Sequence, residues 1–289
     1  MSRLLLIRRA RRFSTADADT DAAVLERIAH SAQCPLPCDM IDEDEVSEKH
    51  LPHTLSSFTH VLSMARGDGC LTVSAQWQAQ GVNVINAPEA VKNCQRGKLN
   101  ALLLAEGMIP PCHTAKHGFW VKPADGRGLH AGGAIYCRSM TEAMAMQRHF
   151  VDKGMDDTVV TAHIEGEIVK FYGVTDMPCR VSGADESHPI DFFHTYTADK
   201  QARSLPSRLH GTLQSTAMRL AHRLSLSVFG GDAVIQDNGQ VAIIDINDWP
   251  SFSPCVAEAA VAIMSLLKVR ESFGDRHTHY ASTTYPPLV

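Results

Sequence analysis

Asp232, Asp245 and Asn247 are the residues whose types and spacing most directly suggest chemistry. They lie in the stretch FGGDAVIQDNGQVAIIDINDWPSFSP, Phe229 to Pro254, where two apolar runs, Ala233–Ile235 and Val241–Ile244, flank Asp237-Asn-Gly. This pattern predicts a strand, a tight turn and a second strand. Asp232 opens the first strand. Asp245 and Asn247 stand two apart on the second, so their side chains share one face. Hard oxygen donors so arranged suit Mg²⁺, which takes one or two carboxylates and fills its other positions with water and phosphate oxygens. The plainer alternative is an ordinary hairpin with a polar rim.

A second group is basic. Lys122 ends a short strand, Phe119-Trp-Val-Lys122-Pro123, and feeds a glycine-rich segment from Ala124 to Gly133 that includes Gly126 and Gly128. Glycine lets backbone N–H groups approach phosphate closely, and the lysine adds positive charge. Gly126 to Ala131 also fits G-x-G-x-x-A, but that dinucleotide fingerprint needs a helix directly after it. A strand-like run, Ala134-Ile-Tyr-Cys137, follows instead, which argues against a nicotinamide site. Arg8, Arg9, Arg11 and Arg12 follow one predicted strand and Arg66 another. Arginine suits carboxylate and phosphate, so Arg8 and Arg66 are candidate clamps for an anionic acceptor. A solvated basic loop is the alternative, and the better reading for Arg11 and Arg12.

These groups need a scaffold. Strands are expected at Leu4–Arg8, Phe58–Met64 and Val82–Ile85, with helices at Asp19–Ala32 and Leu71–Gln80. Strand–helix alternation with short loops indicates a small parallel sheet, whose ligands gather beyond the carboxyl ends of the strands. Further on, helices are expected at Ser139–His149, Arg208–Leu226 and Val256–Val269, and strands at Ile168–Val174 and Phe192–His194. Ser139 and Glu142 have capping-box spacing.

At 289 residues the chain has room for about two domains and a sizeable core. Its net charge of −5 gives no reason to expect nucleic-acid binding. The eight cysteines are scattered and read as reduced thiols of a cytoplasmic enzyme. Cys34-Pro-Leu-Pro-Cys38 is the close pair, and lacking a second pair it is a poor zinc site. Leu4–Ile7 is too short for a signal peptide and reads as a buried strand leading into a basic loop. No apolar stretch has the ~20 residues of a membrane span.

Gly230-Gly231-Asp232, Asp245-Ile-Asn247 and Pro250 together resemble the last motif of the ATP-grasp superfamily, with Asp245 where most members carry Glu. Other stretches resemble that superfamily in the same order. Asn86-Ala-Pro88, Lys98 and Gly107-Met-Ile-Pro110 resemble its entry region, and Lys122 with the glycine segment its phosphate-covering loop. Val159–Glu167 resembles its inter-domain hinge, without the usual hinge carboxylate, and Lys170 follows.

The resemblance implies an N-terminal parallel-sheet α/β domain (1–88), a central α+β lobe with the glycine loop (89–160) and a C-terminal α+β lobe with the metal site (161–289). The two lobes would clamp ATP. It implies phosphate contacts from Lys98, Lys122, Lys170 and the loop of Gly126 and Gly128. It implies adenine contacts from Ala162, His163 and Ile164, ribose contacts from Glu167, and Mg²⁺ held by Asp232, Asp245 and Asn247. Arg8 and Arg66 would face the γ-phosphate end, and the glycine loop would close over Mg-ATP.

The reaction implied is activation of a carboxylate as an acyl phosphate, attacked by an amine or thiol, as in peptide-type ligases. A kinase of the inositol-phosphate type, phosphorylating a hydroxyl of a small anionic acceptor, is the alternative. A non-catalytic nucleotide-binding module is a third. The acceptor's identity and the oligomeric state, a homodimer included, are left open.

Overall fold

The computed structural model describes residues 2–14, 18–46, 58–124, 133–155, 157–176 and 192–274. Three sheets organise the chain. The first holds β1 (Arg3–Arg8), β2 (Cys38–Asp42), β3 (Phe58–Ser63) and β4 (Asn83–Ile85), all parallel, in the order β2-β1-β3-β4. Leu4 and Leu6 point to one face and Leu5 and Ile7 to the other, and all four are buried. An apolar run without polar alternation is what a strand covered on both sides requires. On one side lie α1 (Ala18–Ala29) and the closing helix α7 (Val256–Gly274), meeting through Val24, Leu25 and Ile28 and through Ile263, Leu266 and Leu267. On the other lies α2 (Asp68–Ala79), anchored by Val73 and Trp77.

The strand order reverses direction between β1 and β3, so the loops after these two strands flank the crevice where open parallel sheets bind ligands. Glu43, 2% exposed, braces that crevice. Its carboxylate accepts from the Ala10 N–H at 2.8 Å, the Arg66 N–H at 2.9 Å and the Gly67 N–H. One buried charge thereby holds both loops, and three N–H donors compensate its desolvation.

The helices α3 (Pro88–Asn93) and α4 (Arg96–Ala105) lead to a small antiparallel sheet, β6-β5-β7, of β5 (Phe119–Pro123), β6 (Ile135–Cys137) and β7 (Thr158–Ala162). The helix α5 (Met140–Asp152) covers one face of it through Ala143 and Phe150. Ser139 caps α5, accepting from the Glu142 N–H at 3.2 Å, while the Glu142 carboxylate takes the N–H of Arg138 rather than of Ser139 itself.

The third sheet, β11-β10-β8-β9, is antiparallel and comprises β8 (Glu167–Val174), β9 (Phe192–Thr197), β10 (Val228–Ile235) and β11 (Val241–Asn247). The helix α6 (Ser207–Leu224) packs its Leu213, Ala217, Leu220 and Leu224 stripe on one face, against Phe171, Phe229 and Ile243. The other face is divided. Its Tyr172, Val174 and Phe192 end packs on α7, and the other end carries Lys170, Asp232 and Asp245, all half-buried.

The expected elements are present, with shifts of a few residues. β2 was not anticipated. All five of its residues are half-buried, as on a sheet edge, and its Asp39 and Asp42 are neutralised by Arg3 and Arg8 of β1. The expected phosphate-covering loop, with Gly126 and Gly128, lies outside the described residues, as do residues 177–191.

Candidate active site

The hairpin of β10 and β11 turns at Asp237-Asn-Gly, with Gly239 at φ +78° and the Gln236 N–H donating to the Gln240 carbonyl at 2.9 Å. Its register pairs Asp232 with Asp245 and Gly230 with Asn247, and the neighbouring strand pairs Lys170 with Asp232. Directly paired residues on antiparallel strands share a face. Lys170, Asp232 and Asp245 therefore form one row across three strands, with Asn247 one step along the same face. The glycines beside them are required by close packing. A Cβ on Gly231 would fall 2.1 Å from the Asp245 carbonyl oxygen, and one on Gly230 would fall 2.8 Å from the Pro250 ring.

Lys170 Nζ donates to Asp232 Oδ1 at 2.8 Å. Asp245 carries the larger electrostatic load. Burial pushes its carboxyl up, and the neighbouring Asp232 adds to the shift. Lys122, Arg96 and Arg66 oppose it without cancelling it. Lys122 lies on β5 and Arg96 begins α4, so basic groups from outside the third sheet stand within charge reach of its carboxylates. Among the described residues no three His, Cys, Asp or Glu side chains gather as a metal cage. The donor set here is two carboxylates and an amide. A half-buried, mutually repelling carboxylate pair with an adjacent amide oxygen fits a hard divalent cation that keeps positions for phosphate oxygens.

Arg66 enters from the loop after β3. Its Nη2 donates to Asp248 Oδ1 at 2.5 Å, and Asp248 is 1% exposed. Burial lowers the Arg66 guanidinium, but the charge and hydrogen bond of Asp248 outweigh it, so its value ends raised. Arg9, from the loop after β1, is buried beside it. It donates to the Trp249 carbonyl at 2.8 Å and to Asp21 at 3.3 Å. Burial first and Arg66 second push Arg9 down to about 10, so it stays charged at neutral pH. Two arginines from the crevice of the parallel sheet thus converge on the residues after β11. Arg8 is placed differently, paired with Asp42 at 2.8 Å on the sheet edge.

The remaining expected residues are distributed around this row. Lys98 is exposed on α4. Two residues before it, Arg96 donates to the Pro123 carbonyl and reaches Asp245 by charge. Sequence reasoning passed over Arg96, although its place at the start of α4 was a signal. Asp248 was also missed, since nothing local marks its partner 182 residues away. At the hinge, Ala162 pairs with Phe119 and the His163 N–H donates to the Gly118 carbonyl at 2.8 Å. The His163 ring accepts from Trp120 Nε1 at 3.0 Å, and Ile164 packs on the α6 core. Glu167 begins β8 and is paired with Arg203 at 2.8 Å near the surface. A groove of about 510 Å³ runs along β9 past Thr195, Arg203 and His210, and carries none of the Lys170–Asp232–Asp245 row.

No family model matches the sequence, and no curated protein does. Solved structures do. A D-alanine–D-alanine ligase from Bacillus anthracis superposes with a TM-score of 0.65 at 14% identity, over 95% of this chain and 100% of that one. A RimK domain protein ATP-grasp from Sphaerobacter thermophilus gives 0.61 at 13% identity, over 91% and 98%. The ATP-grasp ligase PsnB, complexed with its precursor peptide PsnA2 and AMPPNP, gives 0.58 at 15% identity, over 91% and 96%. Likeness at such low identity speaks to the fold, and it spans nearly the whole of both partners in each pair. Together with the three sheets and their order, it establishes that this chain has the ATP-grasp fold.

Proposed function

We propose that this protein is a Mg-ATP-dependent ligase that activates a carboxylate as an acyl phosphate for attack by an amine or thiol, releasing ADP and phosphate. The observation that carries the reading is the Lys170–Asp232–Asp245 row on one sheet face, with Lys122 and Arg96 within charge reach of it. Asp232, Asp245 and Asn247 would hold Mg²⁺, which when bound supplies positive charge against the phosphates. Lys122 and Lys170 would orient and neutralise the triphosphate, with Arg96 and Lys98 at its edge. Backbone groups of Ala162, His163 and Ile164 left over from sheet pairing would read the adenine. Glu167 would take the ribose hydroxyls, since its exposed pair with Arg203 is worth little and can be exchanged. Arg66, held by Asp248, would orient an anionic acceptor.

Phosphoryl transfer to a hydroxyl is the second reading. The convergence of Arg9 and Arg66 favours it, because arginine receives a phosphorylated acceptor as readily as a carboxylate.

Calorimetry with Lys122→Met tests the nucleotide site. Mg-ATP should bind about 10–100-fold more weakly, as expected for loss of a charge-assisted contact, and adenosine binding should not change. Glu167→Ala should weaken both ligands. Equal Mg-ATP affinity in the wild type and Lys122→Met would remove the phosphate role.

A further inference from the structure

At the opposite end of the N-terminal sheet from the candidate site, the turn between α1 and β2 reads Cys34-Pro-Leu-Pro-Cys38. The two Sγ atoms stand 3.2 Å apart. Both thiols also point at one acceptor, the Leu36 carbonyl, at 3.3 and 3.2 Å. The turn is held from both sides. The Cys34 N–H donates to the Ser31 carbonyl at 3.1 Å, and the Pro37 carbonyl accepts from the Leu4 N–H at 2.9 Å. Pro35 and Pro37 fix their own φ, and Leu36, 8% exposed, anchors the tip in the core. The sulfurs therefore meet in a preorganised turn, with little chain entropy left to lose on joining them. No other cysteine–cysteine contact occurs among the described residues.

We infer that Cys34 and Cys38 are a redox-active dithiol that closes to an intrachain disulfide when a low-molecular-weight disulfide is the oxidant. The sulfurs need to approach by only roughly an ångström to reach bonding distance. One cysteine, as its thiolate, attacks the oxidant R–S–S–R and expels RS⁻, leaving a mixed disulfide. The second attacks the protein sulfur of that disulfide and expels the other RS⁻. The two protein thiols give up two protons and two electrons, and the oxidant leaves as two RSH. Burial first, and contact with Cys34 second, push the Cys38 thiol up to about 12. The reduced pair is thus not stabilised as a thiolate, and the closed pair has a poor leaving group. Both features make the disulfide slow to form at neutral pH and resistant to reduction by monothiols.

The consequence is local. Cys38 is the first residue of β2 and pairs with Leu4, so the cross-link pins an edge strand. The candidate site lies beyond the carboxyl ends of these strands, and the inference stands whether or not the nucleotide reading does.

The test uses the full-length protein, equilibrated with equal reduced and oxidised glutathione at mildly alkaline pH, alkylated and digested with trypsin. Residues 28–49 form one tryptic peptide carrying both cysteines. It should appear two hydrogens lighter than the reduced peptide and free of alkyl groups, exceeding the doubly alkylated form by roughly tenfold. Cys38→Ser should abolish the cross-link and leave Cys34 alkylated or glutathionylated, with nucleotide turnover unchanged. A doubly alkylated peptide at equilibrium would overturn the inference. So would glutathione on both sulfurs, or cross-links from this peptide to other cysteines.

Discussion

Replacing Asp245 by Asn should cut Mg-dependent ATP turnover by at least about 10²–10³-fold, the usual cost of losing a group that stabilises transferring charge, and should raise the melting temperature of the nucleotide-free protein. The two effects have one cause. Burial, and after it repulsion from Asp232, push the Asp245 carboxyl up. An acid whose native value is raised binds its proton more tightly folded than unfolded, so stability falls as pH rises through that value. Above that value the wild type carries this cost in full, and Asn carries none of it. The stabilisation should therefore grow as pH rises through the raised value and be largest above it. It should vanish below about pH 4, where the unfolded carboxyl is also protonated. Thermal melts across that range, with ATP turnover at saturating Mg²⁺, check both halves. Asn247→Ala should lose turnover without the gain in stability, because no ionised group is removed. Near wild-type turnover in either variant would refute the metal assignment.

Asn86→Ala should destabilise the protein by about 4 kcal/mol, since several buried backbone groups lose their partner at once. Asn86 opens the loop after β4 and is 2% exposed. Its Oδ1 accepts from the N–H groups of Ser227 and Val228 at 2.9 and 3.0 Å. Its Nδ2 donates to the Val228 carbonyl at 2.7 Å and to the Asp248 carbonyl. One amide joins the parallel sheet to the start of β10 and to the residue after Asn247. For a chain of this size the loss corresponds to a fall in melting temperature of roughly 10 °C. Asn86→Asp should also destabilise, because a carboxylate would face two carbonyls. A melting temperature within about 2 °C of wild type for Asn86→Ala would show that the sheets are held together by other contacts.

The parts of the fold legible in the sequence were those with local period or turn chemistry. The α6 stripe, the Asp237-Asn-Gly turn and the doubly buried run of β1 are each specified within a dozen residues. The shared face of Asp245 and Asn247 follows from strand alternation alone, and the register places both as expected. What escaped depends on partners distant in sequence. β2 is short and acidic, and becomes a strand because Arg3 and Arg8 neutralise it from across the sheet. Asp248 looks like loop polarity until Arg66 meets it. Asn86 is locally part of a short motif, whereas its structural weight comes from four hydrogen bonds to backbone more than 140 residues away. Arg96 and Lys98 differ by two residues on one helix, and only the packing of α4 against β7 and β11 decides which of them reaches the carboxylates.

The central claim is tested most directly by incubating the protein with Mg-ATP and a metabolite extract and following, by mass spectrometry, which compounds gain mass and what becomes of the nucleotide. The account predicts ADP and inorganic phosphate in equal amounts, together with a new product whose mass is that of two metabolites less one water. None of these should form with Asp245→Asn. A single metabolite gaining one phosphoryl group, with ADP but no free phosphate, would contradict the ligase reading.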